Sequence, residues 1–561
     1  MFKLSDMDTK STELAEERDS LEFILKSSVP GLVSDAKVPE EVTNTSSNLD
    51  GSATGHKLLV EPSVFNMGIL LPPSLDFLNR LKEVVPSGSD IVISTLHSFL
   101  DDFLVNVFLP QLDDTLNELS DKTFVELDAF QEHSQWSQHS KKPIFRGTVK
   151  FFTLITAFCK MLDNLPHDQA FSQLIITQMK TYGDKCVGNF KAIMARAQPK
   201  TTGEYHKACA EYAEEENEVG QVIVQLFEAD SDKTAELTNT EIKLLLAETE
   251  KSPIDQHDIV QDKKTIQTLC LLYTSMKWLA TKVSQLRHIS NRATDSSKPQ
   301  IGNQRHNRRW TFVAESRTEG TAVYLPLNQE TAGYVSPLPP SFYQHTLTNP
   351  PSQLDMVVAT YRRLATLIHR TLHTNLRLTT LHSLSSTIQP TYTPDSALAD
   401  PDPAIQALTS SLTAYEAEIA TYLPPTQSAQ VISGLSQFAD TYLVHLCLQR
   451  IKAMNEDGCR LMQLNVLVLQ QNLKNIEDEA RLGDSALYFE LFMEGPEAVV
   501  KRAKERGKGF GVESGVYGEA GVKSLLRVCY GERLRDGRRE VGVQAQRQLE
   551  AQELEVSEYM Y

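Results

Sequence analysis

His369 and His373, in the run HRTLH, come closest in this chain to the spacing of a catalytic or metal-binding signature. Helix positions four apart share a face, which is the geometry of half a zinc site. A zinc hydrolase would also need a glutamate beside the first histidine, and a structural site would need further thiol or carboxylate ligands nearby. HRTLH offers neither, so the two are expected to be ordinary helix-face histidines. His133 with His139, and His382, are equally isolated. Gly507, Gly509 and Gly511 form a G-x-G-x-G run, but it follows the charged segment KRAKER rather than a strand, so a helix-ending loop is expected and not a phosphate cradle. The seven cysteines, Cys159, Cys186, Cys209, Cys270, Cys447, Cys459 and Cys529, form no C-x-x-C pair and read as buried, reduced thiols. No serine sits in a glycine elbow, and no carboxylate pair stands out. No catalytic, cofactor-binding or metal-ligating residue is therefore assigned, and no enzyme activity is expected.

Lys501, Arg502, Lys504, Arg506 and Lys508, with Arg533, Arg535, Arg538 and Arg539, form a basic cluster near the C-terminus. It has the charge to meet an acidic protein or anionic lipid headgroups. The alternative is helix-end charge that complements the macrodipole. Over all 561 residues the net charge is −18, which disfavours a general nucleic-acid binder. No apolar run is long enough for a transmembrane helix, and MFKLSDMDTK lacks the apolar core of a signal peptide.

What must carry these residues is helical. In Ile91–Ser120 the apolar positions Leu96, Phe99, Leu100, Phe103, Leu104, Val107, Phe108, Leu112, Leu116 and Leu119 recur in steps of three and four, with acidic residues opposite. Phe103 is expected in the core, and Pro110 is expected to kink or break the helix. Similar stripes predict helices over residues 9–26, 74–85, 121–130, 148–165, 168–198, 204–228, 240–250, 254–289, 354–384 and 404–422. Residues 427–480 form the longest helical region, carrying the heptad seam Cys459, Met462, Val466, Leu469, Leu473 and Ile476. Unbroken, it would span roughly 80 Å, although Gly434 and Gly458 are candidate interruptions. Shorter helices close the chain at 484–493, 496–506, 516–534 and 538–559. Between 291 and 351 periodicity vanishes and Pro and Gly rise, with Arg308–Val313 and Ala322–Leu327 as possible paired strands. The expected organisation is a short helix and linker over 1–63, first helical bundles over 64–290, an irregular linker or insertion over 291–353, and C-terminal bundles over 354–561.

Several stretches resemble a fungal member of the family of the eighth Sec subunit of the exocyst, called exocyst complex component four in animals. They are VPGLVSDAK (Val29–Lys37), FNMGILLPPSLDFLNRLKEVVP (Phe65–Pro86), STLHSFLDDFLVNVFLPQLDDTL (Ser94–Leu116), DAFQEHSQWSQHSKKPIFRGTVKFF (Asp128–Phe152), RRWTF and AVYLPLNQET (Arg308–Thr331), and NIEDEARLGDSALYFELFMEGPE (Asn475–Glu497). Ser336–Gln353 has no counterpart in the resemblance. The resemblance implies an all-α fold, an elongated rod of stacked antiparallel helical bundles as in tethering-complex subunits, with irregular Pro-rich linkers. It implies an interaction protein that holds secretory vesicles at the plasma membrane before fusion, in polarised exocytosis. Other exocyst subunits and Rab- or Rho-type small GTPases are the partners it implies. Its implied location is the cytoplasm, peripheral at plasma-membrane sites of polarised secretion. The family's N-terminal coiled-coil segment is expected to be absent, as in a truncated or partial chain. The residues alone leave two other readings open: a helical scaffold or adaptor outside the exocyst, and a peripheral anionic-lipid binder acting through the basic cluster.

Overall fold

The computed structural model describes residues 64–84, 99–100, 102–126, 128–162, 168–201, 203, 205–229, 231–286, 353–396, 400–478, 480–506, 517–535 and 538–560. The 9–26 helix, the strand candidates between 291 and 351, and the glycine run 507–511 lie outside these residues. Helices succeed one another: α1 (Met67–Val84), a π turn (Leu104–Phe108) leading into α2 (Leu109–Val125), α3 (Arg146–Leu162), α4 (Asp168–Met194), the one-turn α5 (Ala208–Glu211), α6 (Glu218–Glu228), α7 (Ser231–Lys251) and α8 (Lys263–Gln285). Next come α9 (Gln353–Thr387), α10 (Pro403–Tyr422), α11 (Pro425–Ile432), α12 (Leu435–Arg450), α13 (Glu456–Ile476), α14 (Gly483–Glu494), α15 (Pro496–Arg506), α16 (Glu519–Leu534) and α17 (Arg539–Met560). The strands among the described residues, β1 (Thr391–Tyr392) and β2 (Ala453–Met454), pair in parallel with Thr391 opposite Ala453. The fold is all-α, as the stripes predict.

The described residues divide into two compact units, one drawing on 64–139, 144–185, 277–286 and 353–362, the other on 140–143, 186–276 and 363–560. In the first, Leu104, Phe108, Leu112 and Leu116 are buried while Phe99 is 70% exposed and Phe103 only half-buried. The stripe expected to run unbroken from Leu96 thus divides, and the core placement of Phe103 is corrected. The cause lies just before Pro110. Proline has no N–H to give the carbonyl four residues back. Leu109 N–H reaches Leu104 O instead, closing a π turn. One extra residue in a turn rotates everything before it by about 100°, which carries Phe99 and Phe103 off the core face. The helix then continues through Pro110 without breaking. It ends at Val125, short of the expected Phe130, because Glu126 turns to an extended ψ of 127°.

Against α2 pack Val149, Phe151, Leu154, Ile155, Phe158 and Cys159 of α3, all buried. Each such side chain stabilises the fold by about 1.5–3 kcal/mol relative to exposure. Phe151 stacks on Tyr182 at 4.1 Å, and the Tyr182 hydroxyl lies 2.8 Å from Thr148 Oγ1, so the ring is buried without stranding its polar end. Tyr361 OH donates to Met179 O at 2.6 Å, tying the start of α9 to α4.

The second unit is built around residues 363–387 of α9. Leu364, Ile368 and Leu372 of the periodic stripe are buried and Leu376 joins them, yet Arg370, His373, Thr374, Asn375 and Arg377 are buried as well. Neighbours enclose α9 on both faces. Residues 427–480 are three helices rather than one. Gly434 adopts φ 78° between α11 and α12, a left-handed conformation that glycine takes without strain. The Glu477 carboxylate accepts from Gly434 N (2.6 Å) and Ser436 N (2.8 Å), satisfying the free donors at the start of α12. Gly458 lets α13 approach the strand pair, since a Cβ there would stand 2.1 Å from Tyr392 O. The heptad residues Cys459, Met462, Val466, Leu469 and Leu473 are buried, and α13 packs on α10 and α14. The seam is therefore spent inside the unit. At the C-terminal end α16 pairs with α17, which also packs on α15.

Candidate functional site

The histidine pair falls in the second unit's core. His369 Nε2 lies 2.9 Å from Gln427 O, with its ring between Phe227 (4.6 Å) and Tyr273 (5.4 Å). His373 Nε2 lies 2.9 Å from Glu241 Oε1, and its Nδ1 lies 3.2 Å from Gln430 O. Arg377 Nε, one turn further along α9, lies 3.6 Å from the same Glu241 oxygen. Burial alone would raise the Glu241 carboxyl, but His373 and Arg377 overcome it and hold it below its ordinary value. His369 thus meets α6, α8 and α11, and His373 meets α7 and α11, so the pair fastens helices together. Among the described residues no group of three potential ligands is placed to hold a metal ion. His133 and His139 meet edge to face at 5.4 Å, and burial, then His139, Arg146 and Lys150, lowers the His133 imidazole.

Six of the seven cysteines are buried and Cys529 is half-buried, none in a disulfide. Burial pushes the thiols of Cys209, Cys459 and Cys529 up to about 12, which leaves almost no thiolate nucleophile near neutral pH.

Two members of the basic cluster, Lys501 and Lys504, meet carboxylates. Lys504 pairs with Glu555 of α17 and lies 5.2 Å from the centre of the Tyr559 ring. The hydrogen bond that Lys504 donates to Glu555 raises its ammonium above its ordinary value. Lys501 stands 4.0 Å from Glu505, and Arg527 of α16 bonds Glu553 at 2.7 Å. Lys508 lies outside the described residues. Lys504 and Arg527 thus tie α15 and α16 to α17.

The strongest surface signal includes two residues, Phe99 and Val107, that periodicity assigned to the core. Exposed large apolar side chains concentrate in the first unit on α1 and the turn before α2: Ile69, Leu70, Phe77, Val84, Phe99 and Val107. Phe77 is 63% and Val84 77% exposed. Pro73, Phe77, Leu78, Phe99 and Leu100 line a shallow groove of about 370 Å3. Its neighbouring polar groups are already engaged: Ser74 Oγ donates to Leu70 O (2.7 Å), and Asp76 pairs with Arg80 (2.7 Å). Grouped apolar exposure of this kind marks a contact surface, whereas scattered single residues do not. A stripe pattern cannot show this, because the π turn decides which apolar residues face outward.

Comparison with known proteins bears on what such a chain does. The family model "Exocyst complex component Sec8 C-terminal" matches residues 1–75, a match that ends inside α1. A Neurospora crassa protein, "Probable exocyst complex component sec8", is 39% identical over 622 aligned positions, covering 100% of this chain and 54% of that protein. "Exocyst complex component sec8" of Schizosaccharomyces pombe is 22% identical, covering 86% of this chain and 44% of its own. Human "Exocyst complex component 4" is 19% identical, covering 78% of this chain and 43% of its own. The chain thus spans about half the length of the curated relatives it matches. With its helices, its internally spent seam and a similarity that runs the whole length of the chain, it belongs to the family of Sec8 components of the exocyst.

Proposed function

We propose that the chain works as a structural, non-enzymatic subunit of the exocyst, contributing to the tethering of secretory vesicles at the plasma membrane before fusion. The observation that carries this reading is the 39% identity to the Neurospora exocyst component along the entire chain. The chemistry is consistent with it: His369, His373 and six of the seven thiols are buried in cores, while an apolar face is left open. In this reading the Phe77–Phe99 groove receives the apolar face of a helix from another exocyst subunit, because its floor lacks a free polar group to recognise anything else. Rab- or Rho-type GTPases act as further partners, and the chain works at the cytoplasmic side of plasma-membrane sites of polarised secretion. No helix among the described residues is long and apolar enough to cross a membrane. Anionic-lipid contact through the basic cluster has less support, since Lys504 already faces Glu555.

Affinity purification of the tagged chain from a fungal cell tests the proposal. Recovery of exocyst subunits is expected. Recovery of a stable assembly without any exocyst subunit would instead favour a scaffold outside exocytosis. Phe77→Ser with Phe99→Ser should leave the helical content unchanged, both rings being exposed, and should weaken the recovery of partner subunits.

A further inference from the structure

A second groove lies in the first unit, apart from the Phe77–Phe99 groove. It holds about 300 Å3 between α3, the last turns of α8 and the 3-10 turn Trp136–Gln138. Val149, Phe152, Ala157 and Trp278 form its floor, with Phe152 edge-on to the Trp278 indole at 5.3 Å. The polar atoms of that floor are committed. Trp278 Nε1 donates to His139 O (2.9 Å), Thr153 Oγ1 to Val149 O (2.8 Å) and Thr156 Oγ1 to Phe152 O (2.8 Å).

The rim is of another kind. Lys160 and Lys282, each in the last turn of its helix, line the groove together with Gln138 and His139. No carboxylate is among the lining residues. Lys282 lies 6.0 Å from the centre of the Trp278 ring. Two ammonium groups over a saturated apolar floor form a local positive field in a chain whose net charge is −18. An occupant must therefore supply negative charge at the rim and an apolar group at the floor. A lipid headgroup supplies the charge, but its acyl chains stay in the bilayer and leave the floor wet. An acidic peptide supplies both.

We propose that this groove docks an acidic peptide segment of a partner protein, with one aromatic or aliphatic residue over Phe152 and Trp278 and flanking carboxylates against Lys160 and Lys282. The proposal stands on this groove alone and does not depend on exocyst membership. It is tested with the full chain as bait for a phage-displayed library of random peptides, beside the Lys160→Glu/Lys282→Glu variant. Lys160 is exposed and Lys282 half-buried, so the variant should keep the wild-type circular-dichroism melt. A Lys160→Gln/Lys282→Gln variant serves if it does not. The wild-type chain should enrich peptides with carboxylates flanking a large apolar residue. A synthetic peptide of the most enriched sequence should lose about tenfold or more in affinity with either variant, and should weaken as salt rises. The proposal is overturned if no peptide is enriched over the variant, if the enriched peptides lack carboxylates, or if their binding ignores both substitutions. It is overturned in favour of a membrane if the two lysines govern pelleting with phosphatidylserine vesicles while no peptide binds.

Discussion

Glu241→Gln is the sharpest test of how the second unit is held together. Glu241, His373 and Arg377 are all fully buried, and one carboxylate oxygen serves both basic partners. Replacing the carboxylate by an amide keeps the volume and removes the charge that compensates Arg377. Breaking a buried ion pair from one side typically costs about 3–5 kcal/mol. Here the lower end, about 3 kcal/mol, is expected on that scale, because Arg377 Nη2 still donates to Ser433 O and Arg377 still feels Glu477. For a unit of this size that is a fall in melting temperature of about 5 °C by far-UV circular dichroism. A pH series adds a second readout. The folded Glu241 carboxyl is held below its ordinary 4.5, so its contribution is complete above that value and is lost as pH falls through the lower, folded one. The wild-type chain should lose this stability in acid, and the Glu241→Gln chain, lacking the group, should show a shallower acid limb. Adding Arg377→Met should recover part of the loss, since removing both charges leaves none stranded. A single-variant shift below about 2 °C would refute the argument that this ion cluster, rather than the surrounding leucines, locks α9 to α7.

Gly458→Ala should destabilise by about 1–3 kcal/mol or more in urea unfolding, because the new methyl collides with the backbone oxygen of Tyr392 rather than with a side chain that can move aside. Asp440 accepts from Asp484 N (2.8 Å) and Ser485 N (2.7 Å) at the start of α14, while burial pushes its carboxyl up to about 6. A raised folded value contributes stability that is complete below the ordinary 3.8 and fades as pH rises through about 6. Wild-type stability should accordingly decline over that interval and that of Asp440→Asn should not, as read by chemical denaturation at stepped pH. A thiol reagent applied to the native chain should label Cys529 first, and the six buried cysteines should react only as fast as the fold opens; rapid labelling of Cys270 or Cys447 would contradict their burial.

Much of the local structure was legible because its causes are local. Asn217, Asp402 and Asn455 cap α6, α10 and α13 through their own side chains, donors and acceptor lying within a few residues. Gly434 and Gly458 were visible as candidate interruptions of the 427–480 region; Gly434 does separate α11 from α12, while Gly458 sits within the first turn of α13, just after the break at β2. Arg370, His373 and Arg377 were illegible as core residues. By pattern they belong to the polar back of the α9 stripe, and nothing local says that Ala213 O, Gln430 O and Glu241 will be waiting there. Phe99 and Phe103 failed for the opposite reason: they fit the stripe, and a turn one residue wider moved them out of it.

The sequence by itself determined that the chain is helical, roughly where several of its helices lie, and which family it resembles. These follow from spacing, capping and quoted motifs, which are properties of neighbouring residues. Only the tertiary structure decided which stripe meets which, that the heptad seam closes on α10 and α14, that Lys504 of the basic cluster is matched by Glu555 of α17, and that two grooves stay open. An amphipathic helix specifies that one face be covered. What covers it depends on segments brought together from hundreds of residues away, and there the pattern along one helix carries no information.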